Sequence, residues 1–369
     1  MNRLNIPSIN AFYKHTIRLV YLFWKTTFLN SKYRMKSEEG GILMRSWKVT
    51  KLGNPREVLE LQDHSRPSIQ EGEILIEVEA SSLNFFDILL CQGKYQEKPP
   101  IPFTPGAEIS GVIREIGKNT QLKVGQRVIA TPPLPDGGLS EWVSVPEESV
   151  YPIVDSMAAT DAAAMFITYQ TSYYGLYYRG NLQKGEVLLV HAGAGGVGSA
   201  AIQLGKARGA KVIATAGGPD KVQICKNLGA DIAIDYIMDD FVEIVKSETN
   251  GRGADVIYDP VGADVFDRSR KCIAFDGRLL VIGFAGGRIP EAPVNHALIK
   301  NYSIVGVHWG LFARLHPSKV REIHADLMRL YDEKSIRPLI YQAYDFREVP
   351  DALEILADRK TYGKLIVKP

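Results

Sequence analysis

Cysteine is scarce in this 369-residue chain: Cys91, Cys225 and Cys272 are the whole complement. They lie far apart and form no C-x-x-C pair, which argues against a disulfide framework and a cysteine-built zinc site and fits a reducing, cytoplasmic setting. Long apolar runs are missing too. In the first 43 residues the one apolar run, Ile17 to Trp24, is interrupted by Arg18 and falls far short of the roughly 20 residues that span a bilayer. Strong charge of one sign is absent from the body. The net charge is +2, but residues 1–37 hold seven Lys or Arg and no acid, and Glu38 and Glu39 follow. Of 44 basic and 42 acidic residues, 37 and 40 therefore remain from Met44 onward, a net of −3. A mildly acidic body gives no electrostatic reason to expect nucleic acid. Nor is there a His, Cys or Ser constellation of the kind that supports nucleophilic catalysis.

The acid-free extension, residues 1–43, admits three readings. It can be a transit peptide or an amphipathic surface anchor. More economically, Glu39-Gly-Gly-Ile-Leu-Met44 can be encoded with a purine-rich ribosome-binding sequence just ahead of the Met44 codon, so that Met44 is the true start and Met44-Arg-Ser-Trp-Lys-Val49 begins the first strand.

The most informative stretch follows an apolar β-type run, Val187–Val190. It reads Gly193-Ala-Gly195-Gly196-Val197-Gly198 and opens a small-residue helix. G-x-G-x-x-G between strand and helix is a dinucleotide fingerprint. Gly193 permits the tight turn, Gly195 clears the approach of a pyrophosphate, and Gly198 lets helix and strand pack closely. The loop Gly193–Gly198, with Gly196 and Val197 at the helix start, offers free N–H groups to the phosphates.

Upstream, from Met44 to about Pro152, short alternating runs such as Ile74–Ala80, Ile109–Ile116 and Leu139–Val145 are separated by Gly, Pro and Asn, the text of a compact barrel or sandwich. From about Met165 the rhythm becomes strand–helix–strand, with strands at Val187–Ala192, Lys211–Ala216, Ile232–Asp235, Asp255–Asp259, Arg278–Gly283 and Ser303–Val307. That alternation calls for a doubly wound parallel sheet, order 3-2-1-4-5-6 if Rossmann. Pro317–Lys334 reads as an amphipathic helix through Val320, Ile323, Leu327 and Leu330, Pro350–Asp358 as a shorter one, and Leu365–Val367 as a last strand. The tyrosines of Tyr169–Tyr178 read as packing residues.

Together with Asn84-Phe-Phe-Asp87, Gly93-Lys-Tyr95, Pro105-Gly-Ala-Glu108, Gly125-Gln-Arg-Val128 and Gly363-Lys364, the loop makes the chain from Met44 to its end resemble the medium-chain dehydrogenase/reductases, and among them the zinc-independent NADPH:quinone oxidoreductases of the zeta-crystallin type. The resemblance implies a GroES-like β-rich catalytic domain, residues 44–164 and 309–369, around a Rossmann NADPH-binding domain, residues 165–308. It also implies an active site in the cleft between them and a homodimer through the last Rossmann strand. Zinc enzymes of the superfamily carry a Cys in the loop that here reads Asn84–Asp87 and a His where Ala107 stands; zinc needs three or four donors, so no metal is expected. Glu108 is read as a packing or hydrogen-bonding residue and His191 as locally bonded.

For the cofactor, no acid stands at the tip of the second Rossmann strand, Ala216-Gly217-Gly-Pro-Asp-Lys221, where one would bind a ribose hydroxyl and repel a 2′-phosphate. By resemblance Gly217, Lys221 and Tyr236 hold the 2′-phosphate of NADPH. Lys221 can otherwise be a solvated helix lysine, and Asp220 could favour NAD if it faced the ribose; it is expected in the first turn of the next helix, turned away. Resemblance also puts Thr168, Asp259 and Phe284 near the nicotinamide and Lys364 toward the cofactor phosphates, although Asp259 and Gly262 can equally just end a strand. The activity implied is hydride transfer from NADPH to a quinone or α,β-unsaturated carbonyl, with Asn84 bonding the acceptor oxygen and Tyr95 bordering the pocket or relaying a proton. An enoyl thioester reductase and a non-catalytic NADPH-binding protein are the alternatives. Sequencing the N-terminus of the native protein is expected to read from Met44; a mature chain beginning earlier would overturn the internal start.

Overall fold

A computed structural model describes residues 43–118 and 120–369; all of the extension, residues 1–43, but its last residue lies outside them, and the readings made of it with it. Among the described residues no helix is long and apolar enough to cross a membrane.

Strand β1 (Leu43–Val49) pairs antiparallel with β2 (Leu59–Ser65). Between them Asn54 caps the short helix α1 (Pro55–Val58), its side chain accepting from Arg56 N. The larger β-sheet grows from β3 (Glu73–Leu83), followed by α2 (Phe85–Cys91), β4 (Ile109–Ile116), β5 (Arg127–Ala130), β6 (Trp142–Pro146) and β7 (Val150–Pro152). Alternation in β3 puts Ile74, Ile76 and Val78 in one core with Ile109, Ile113, Val128 and Val143. β3 pairs with β4 along one edge and with β6 and the C-terminal strand along the other.

The chain then enters α3 (Ala159–Tyr173), which continues as one π-type turn, Tyr174–Arg179, closed by Gly180 N to Gly175 O. Alanines let it lie flush on the sheet, with Ala163 and Ala164 packed against Ala80 and Ile366. The rest of α3 is buried in the core of the second sheet through Met165, Phe166 and Tyr169, and the π-type turn through Leu176. Among its tyrosines, Tyr169 takes a bond from Gln203, while Tyr173 and Tyr177 donate to Asp326 and to Leu204 O.

The second sheet is built from β8 (Val187–Val190), α4 (Gly196–Ala207), β9 (Lys211–Ala216), α5 (Pro219–Asn227), β10 (Ile232–Asp235), α6 (Phe241–Glu248), β11 (Ala254–Asp259), α7 (Ala263–Ser269), β12 (Ile273–Val281), α8 (Val294–Lys300) and β13 (Ser303–Gly306). All pairings are parallel, in the order β10-β9-β8-β11-β12-β13, so this is the doubly wound Rossmann arrangement expected. β12 starts five residues before the expected Arg278. Asp276 and Gly277 form a kink inside the strand, Asp276 taking the left-handed conformation at φ 56°.

Helix α9 (Trp309–Leu315) leads into α10 (Pro317–Asp332), whose buried stripe Val320, Ile323, Leu327 and Leu330 packs into the core that holds α3. β14 (Ile340–Asp345), α11 (Val349–Ala357) and β15 (Lys364–Lys368) then return to the first sheet, β15 lying between β14 and β3. The fold thus joins a GroES-like β-rich part to a Rossmann-like parallel sheet.

His191, directly after β8, is buried, with Nδ1 against Thr215 Oγ1 (3.0 Å) and Nε2 against Ser269 Oγ (2.8 Å). Burial pushes its pKa from 6.5 down to about 3. A folded pKa below the unfolded one means that the stability tied to neutral His191 is complete above pH 6.5 and is lost as pH falls toward 3. The slope from one such proton is about 1.4 kcal/mol per pH unit. Urea unfolding from pH 7 to 5 should therefore show a shallower acid loss in His191→Gln than in the parent.

Candidate active site

The glycine loop sits at the carboxyl end of β8, and its glycines are demanded by its surroundings. A Cβ on Gly198 would stand 2.1 Å from Ala192 O, and one on Gly193 would stand 2.8 Å from Cys225 Sγ. A Cβ on Gly196 would meet Lys364 Cδ and Thr168 Cγ2 at 3.2 Å each, and one on Gly195 would touch only Ala192 O, at 3.2 Å. Thr168 gives its methyl to this wall while its hydroxyl donates back to Ala164 O (3.0 Å). The Val197 carbonyl accepts from Ser172 Oγ.

The loop is also stitched to the far end of the chain. Gly363 N donates to Ala194 O (2.7 Å), and Gly363 and Gly195 form a parallel bridge. Gly363 has φ +51°, and a Cβ there would lie 2.2 Å from Leu339 O, so only glycine fits. This stitch delivers Lys364 past Gly196 into the interior.

There the Lys364 ammonium, 6% exposed, donates to Glu108 Oε1 (3.0 Å) and to Asn84 Oδ1 (2.5 Å). Asn84 Nδ2 donates to the same Glu108 oxygen (3.1 Å), and the other, Oε2, accepts from Ile167 N of α3 (2.8 Å). Glu108 is wholly buried. Below this cluster Asp87 accepts from Asn84 N (2.8 Å) and Gly106 N (3.1 Å), holding the start of α2 against the Pro105–Glu108 turn. Burial pushes the Asp87 pKa up to about 6, against the pull of those two N–H groups and of Lys364. β3, β4, α2, α3 and β15 thus meet at one set of polar side chains.

Asn84 and Lys364, placed in separate roles by resemblance, are in direct contact. Lys364 engages Asn84 and Glu108, with its stem rather than its ammonium beside the loop. Tyr95 stands apart from them, half-buried and stacked on Phe86 with ring centroids 5.3 Å apart; burial raises its pKa. Sequence reasoning read Glu108 as a packing or hydrogen-bonding residue without naming its partners, and gave Asp87 no role. The available signal was Lys364 itself, a cation next to the buried run Leu365–Val367 that needs an acid beside it.

At the other end of the loop, the Tyr236 hydroxyl lies over Gly217, 2.6 Å from where a Cβ would be. Lys221 Nζ donates to Arg359 O (3.0 Å). Asp235 is occupied with Gly218 N and Ile237 N, and Asp220 is exposed in the first turn of α5. Past β11, Asp259 Oδ1 accepts from Val261 N (2.8 Å) and Gly262 N (2.9 Å), while its buried Oδ2 has no partner among the described residues. Burial raises its pKa as well. Gly262 abuts Phe284, whose ring is 42% exposed. Among the described residues no three His, Cys, Asp or Glu side chains gather as a metal site requires.

Two family descriptions match the chain: "Alcohol dehydrogenase GroES-like domain" over residues 70–155 and "Zinc-binding dehydrogenase" over residues 196–328. The quinone oxidoreductase-like protein 2 homolog of Nematostella vectensis is 38% identical over 327 residues, 88% of either chain. Its counterpart from Bos taurus is 32% identical over 88% of this chain and 93% of its own. Among solved structures, the Escherichia coli quinone oxidoreductase complexed with NADPH superposes with a TM-score of 0.81 at 29% identity, over 88% of this chain and all of that one.

Removing one partner of a buried ion pair strands the other, at a cost of about 3–5 kcal/mol, whereas replacing both by apolar groups is often neutral. Lys364→Met should therefore lower the urea midpoint sharply, and Lys364→Met combined with Glu108→Leu should recover most of the loss.

Proposed function

The chain belongs to the medium-chain dehydrogenase/reductase family, among its quinone oxidoreductase-like members, and from that premise we propose an NADPH-dependent reductase that passes hydride to a quinone or α,β-unsaturated carbonyl without zinc. The observation that carries the proposal is the joining of a dinucleotide loop, through Gly363 and Lys364, to a buried amide at Asn84.

The cofactor fit is tested by the cradle. Four glycines face walls that tolerate no side chain or little more than one, and α4 begins at Gly196, so its free N–H groups suit a pyrophosphate. Gly217 lets the Tyr236 hydroxyl close over it, that hydroxyl and Lys221 supply a donor and a cation for a 2′-phosphate, and Asp235 is spent on backbone groups. Thr168 and Lys364 wall the loop; Asp259 shapes the turn beside Phe284, and its unpartnered Oδ2 can accept from a bound ribose or amide. When bound, NADPH supplies the hydride.

The protein's part is to hold, orient and exclude water. Asn84 donates a hydrogen bond to the acceptor oxygen, which stabilises charge as it develops there. The Phe86–Tyr95 stack offers an aromatic wall to a flat acceptor. A conjugated acceptor spreads that charge, so a single donor suffices. Zinc has no place in this reading because Asn84 and Ala107 stand where ligands would be and Glu108 is engaged by Lys364. A homodimer is part of the proposal. β13 is a sheet edge paired only with β12, and Ile304 on it and Val294, Leu298 and Ile299 of α8 are exposed, surface that a second copy would cover. The three buried free cysteines are in keeping with a cytoplasmic setting.

Purified protein should oxidise NADPH with 9,10-phenanthrenequinone or an enone, and treatment with a chelator should leave the rate unchanged. Turnover with enoyl thioesters alone would redirect the substrate class, and tight NADPH binding with no turnover would favour a non-catalytic role. A charged phosphate contact is worth about 1.5–3 kcal/mol. Lys221→Ala should accordingly raise the KM for NADPH about ten- to hundredfold and leave that for NADH nearly unchanged; equal effects would refute the 2′-phosphate assignment.

A further inference from the structure

The Asn84 amide spans an ion pair, Oδ1 on the cation and Nδ2 on the anion. An ammonium can only donate and a carboxylate can only accept. Lys364 therefore fixes Oδ1 on its own side, at 2.5 Å, and Glu108 fixes Nδ2 on the other, at 3.1 Å. Rotating the amide by half a turn would set NH₂ against the ammonium and oxygen against the carboxylate. Packing alone cannot make this choice, since the two ends of an amide have nearly the same shape. One Nδ2 hydrogen is held by Glu108; the other faces Ser82 O at 3.4 Å, a long and weak bond. That second hydrogen is the one loosely held donor of the amide.

We infer that Glu108 is a positioning residue for the reduction: with Lys364 it sorts the two ends of the Asn84 amide, so that the weakly engaged Nδ2–H is the group offered to the acceptor oxygen. The inference rests on the reading that Asn84 bonds that oxygen. Glu108 is well placed for the task because its other oxygen is anchored on Ile167 N of α3, 2.8 Å away, and its backbone carbonyl takes Ser82 N. Its carboxylate cannot turn without losing α3. Asp87 adds the second constraint, fixing the Asn84 backbone through its N–H.

Glutamine at position 108 keeps the size but can turn oxygen or NH₂ toward Asn84, so the Nδ2 end loses its fixed acceptor and only Lys364 is left to sort the amide. In Glu108→Gln, kcat at saturating NADPH should fall about 10- to 100-fold, the range below the loss of a whole oxyanion donor. The dissociation constant for NADPH, read by fluorescence titration without acceptor, should stay within about twofold. A phenol analogue of the acceptor should bind more weakly to the variant, while its counterpart lacking the hydroxyl should bind as to the parent. Because Glu108→Gln leaves Lys364 without its counter-charge, the double variant Glu108→Gln/Lys364→Met keeps the test decisive. It removes both charges, should regain thermal stability, and should still show the low kcat. Recovery of kcat together with stability would reduce Glu108 to a charge balancer, and an unchanged kcat in Glu108→Gln would also overturn the inference while leaving the reductase reading intact. A parent protein that reduces no quinone or enone would overturn that reading and, with it, the positioning role of Glu108.

Discussion

A cation and an anion that have both left water impose more order on a protein than any single apolar contact, because neither tolerates being left alone. Lys364 and Glu108 are such a pair. One arrives on the C-terminal strand and the other lies just before β4, 256 residues apart in the chain. For the two to meet, β15 must dock on β3, the Pro105–Glu108 turn must sit over α2, and α3 must present the Ile167 N–H at the right height. The pair therefore ties the GroES-like part to the helix that also belongs to the core of the Rossmann sheet. The desolvation of both charges is offset by their contact and by the bonds around it: Asn84 meets the ammonium with Oδ1 and the carboxylate with Nδ2, and Ile167 N takes the other carboxylate oxygen.

The second constraint is steric. Gly363 and the Gly193–Gly198 loop approach so closely that the two backbones bridge, and carbonyl oxygens occupy the space where side chains at Gly198 and Gly363 would go. Since the stem of Lys364 rises beside Gly196, any movement of the loop moves the base of the lysine that orients Asn84. The glycine loop and the polar cluster are mechanically one object, joined over a distance of a single residue from Gly363 to Lys364.

Much of this was legible in the chain alone, and for identifiable reasons. Parallel strands buried on both faces read as continuous apolar runs, which made β8, β9 and β11 and the sheet order plain, and the glycine loop announced itself by spacing. β14 was missed because it lies at the sheet edge and alternates weakly, with Gln342 and Ala343 exposed. Helices α8 and α9 were missed because neither buries a residue fully, so no apolar periodicity marks them. The candidate site was legible as residue types but not as partnerships. Motif order placed Asn84, Glu108 and Lys364 separately; that one carboxylate oxygen serves both other side chains follows from the β15–β3 register, which no local pattern encodes. Thr168 illustrates the converse: resemblance put it near a nicotinamide, whereas the structure sets its methyl against the glycine loop and spends its hydroxyl on the helix carbonyl of Ala164, as threonine commonly does within a helix.

Asp87 shows how the cluster distributes its charge. Lys364 carries one positive charge, and Glu108 already takes it at 3.0 Å. Asp87 is left with two backbone N–H groups and no cation in contact, and burial dominates, lifting its pKa to about 6. With Asp87 protonated the cluster is neutral overall; with Asp87 ionised it carries one net negative charge in a closed environment. A raised folded pKa means that ionised Asp87 opposes folding as pH rises above the ordinary carboxylate range. What the position gains is geometric. A carboxyl group accepts from Asn84 N and Gly106 N at once, one on each oxygen, and so fixes the backbone at both ends of the cluster. An asparagine could accept at only one of the two, leaving the other N–H buried without a partner.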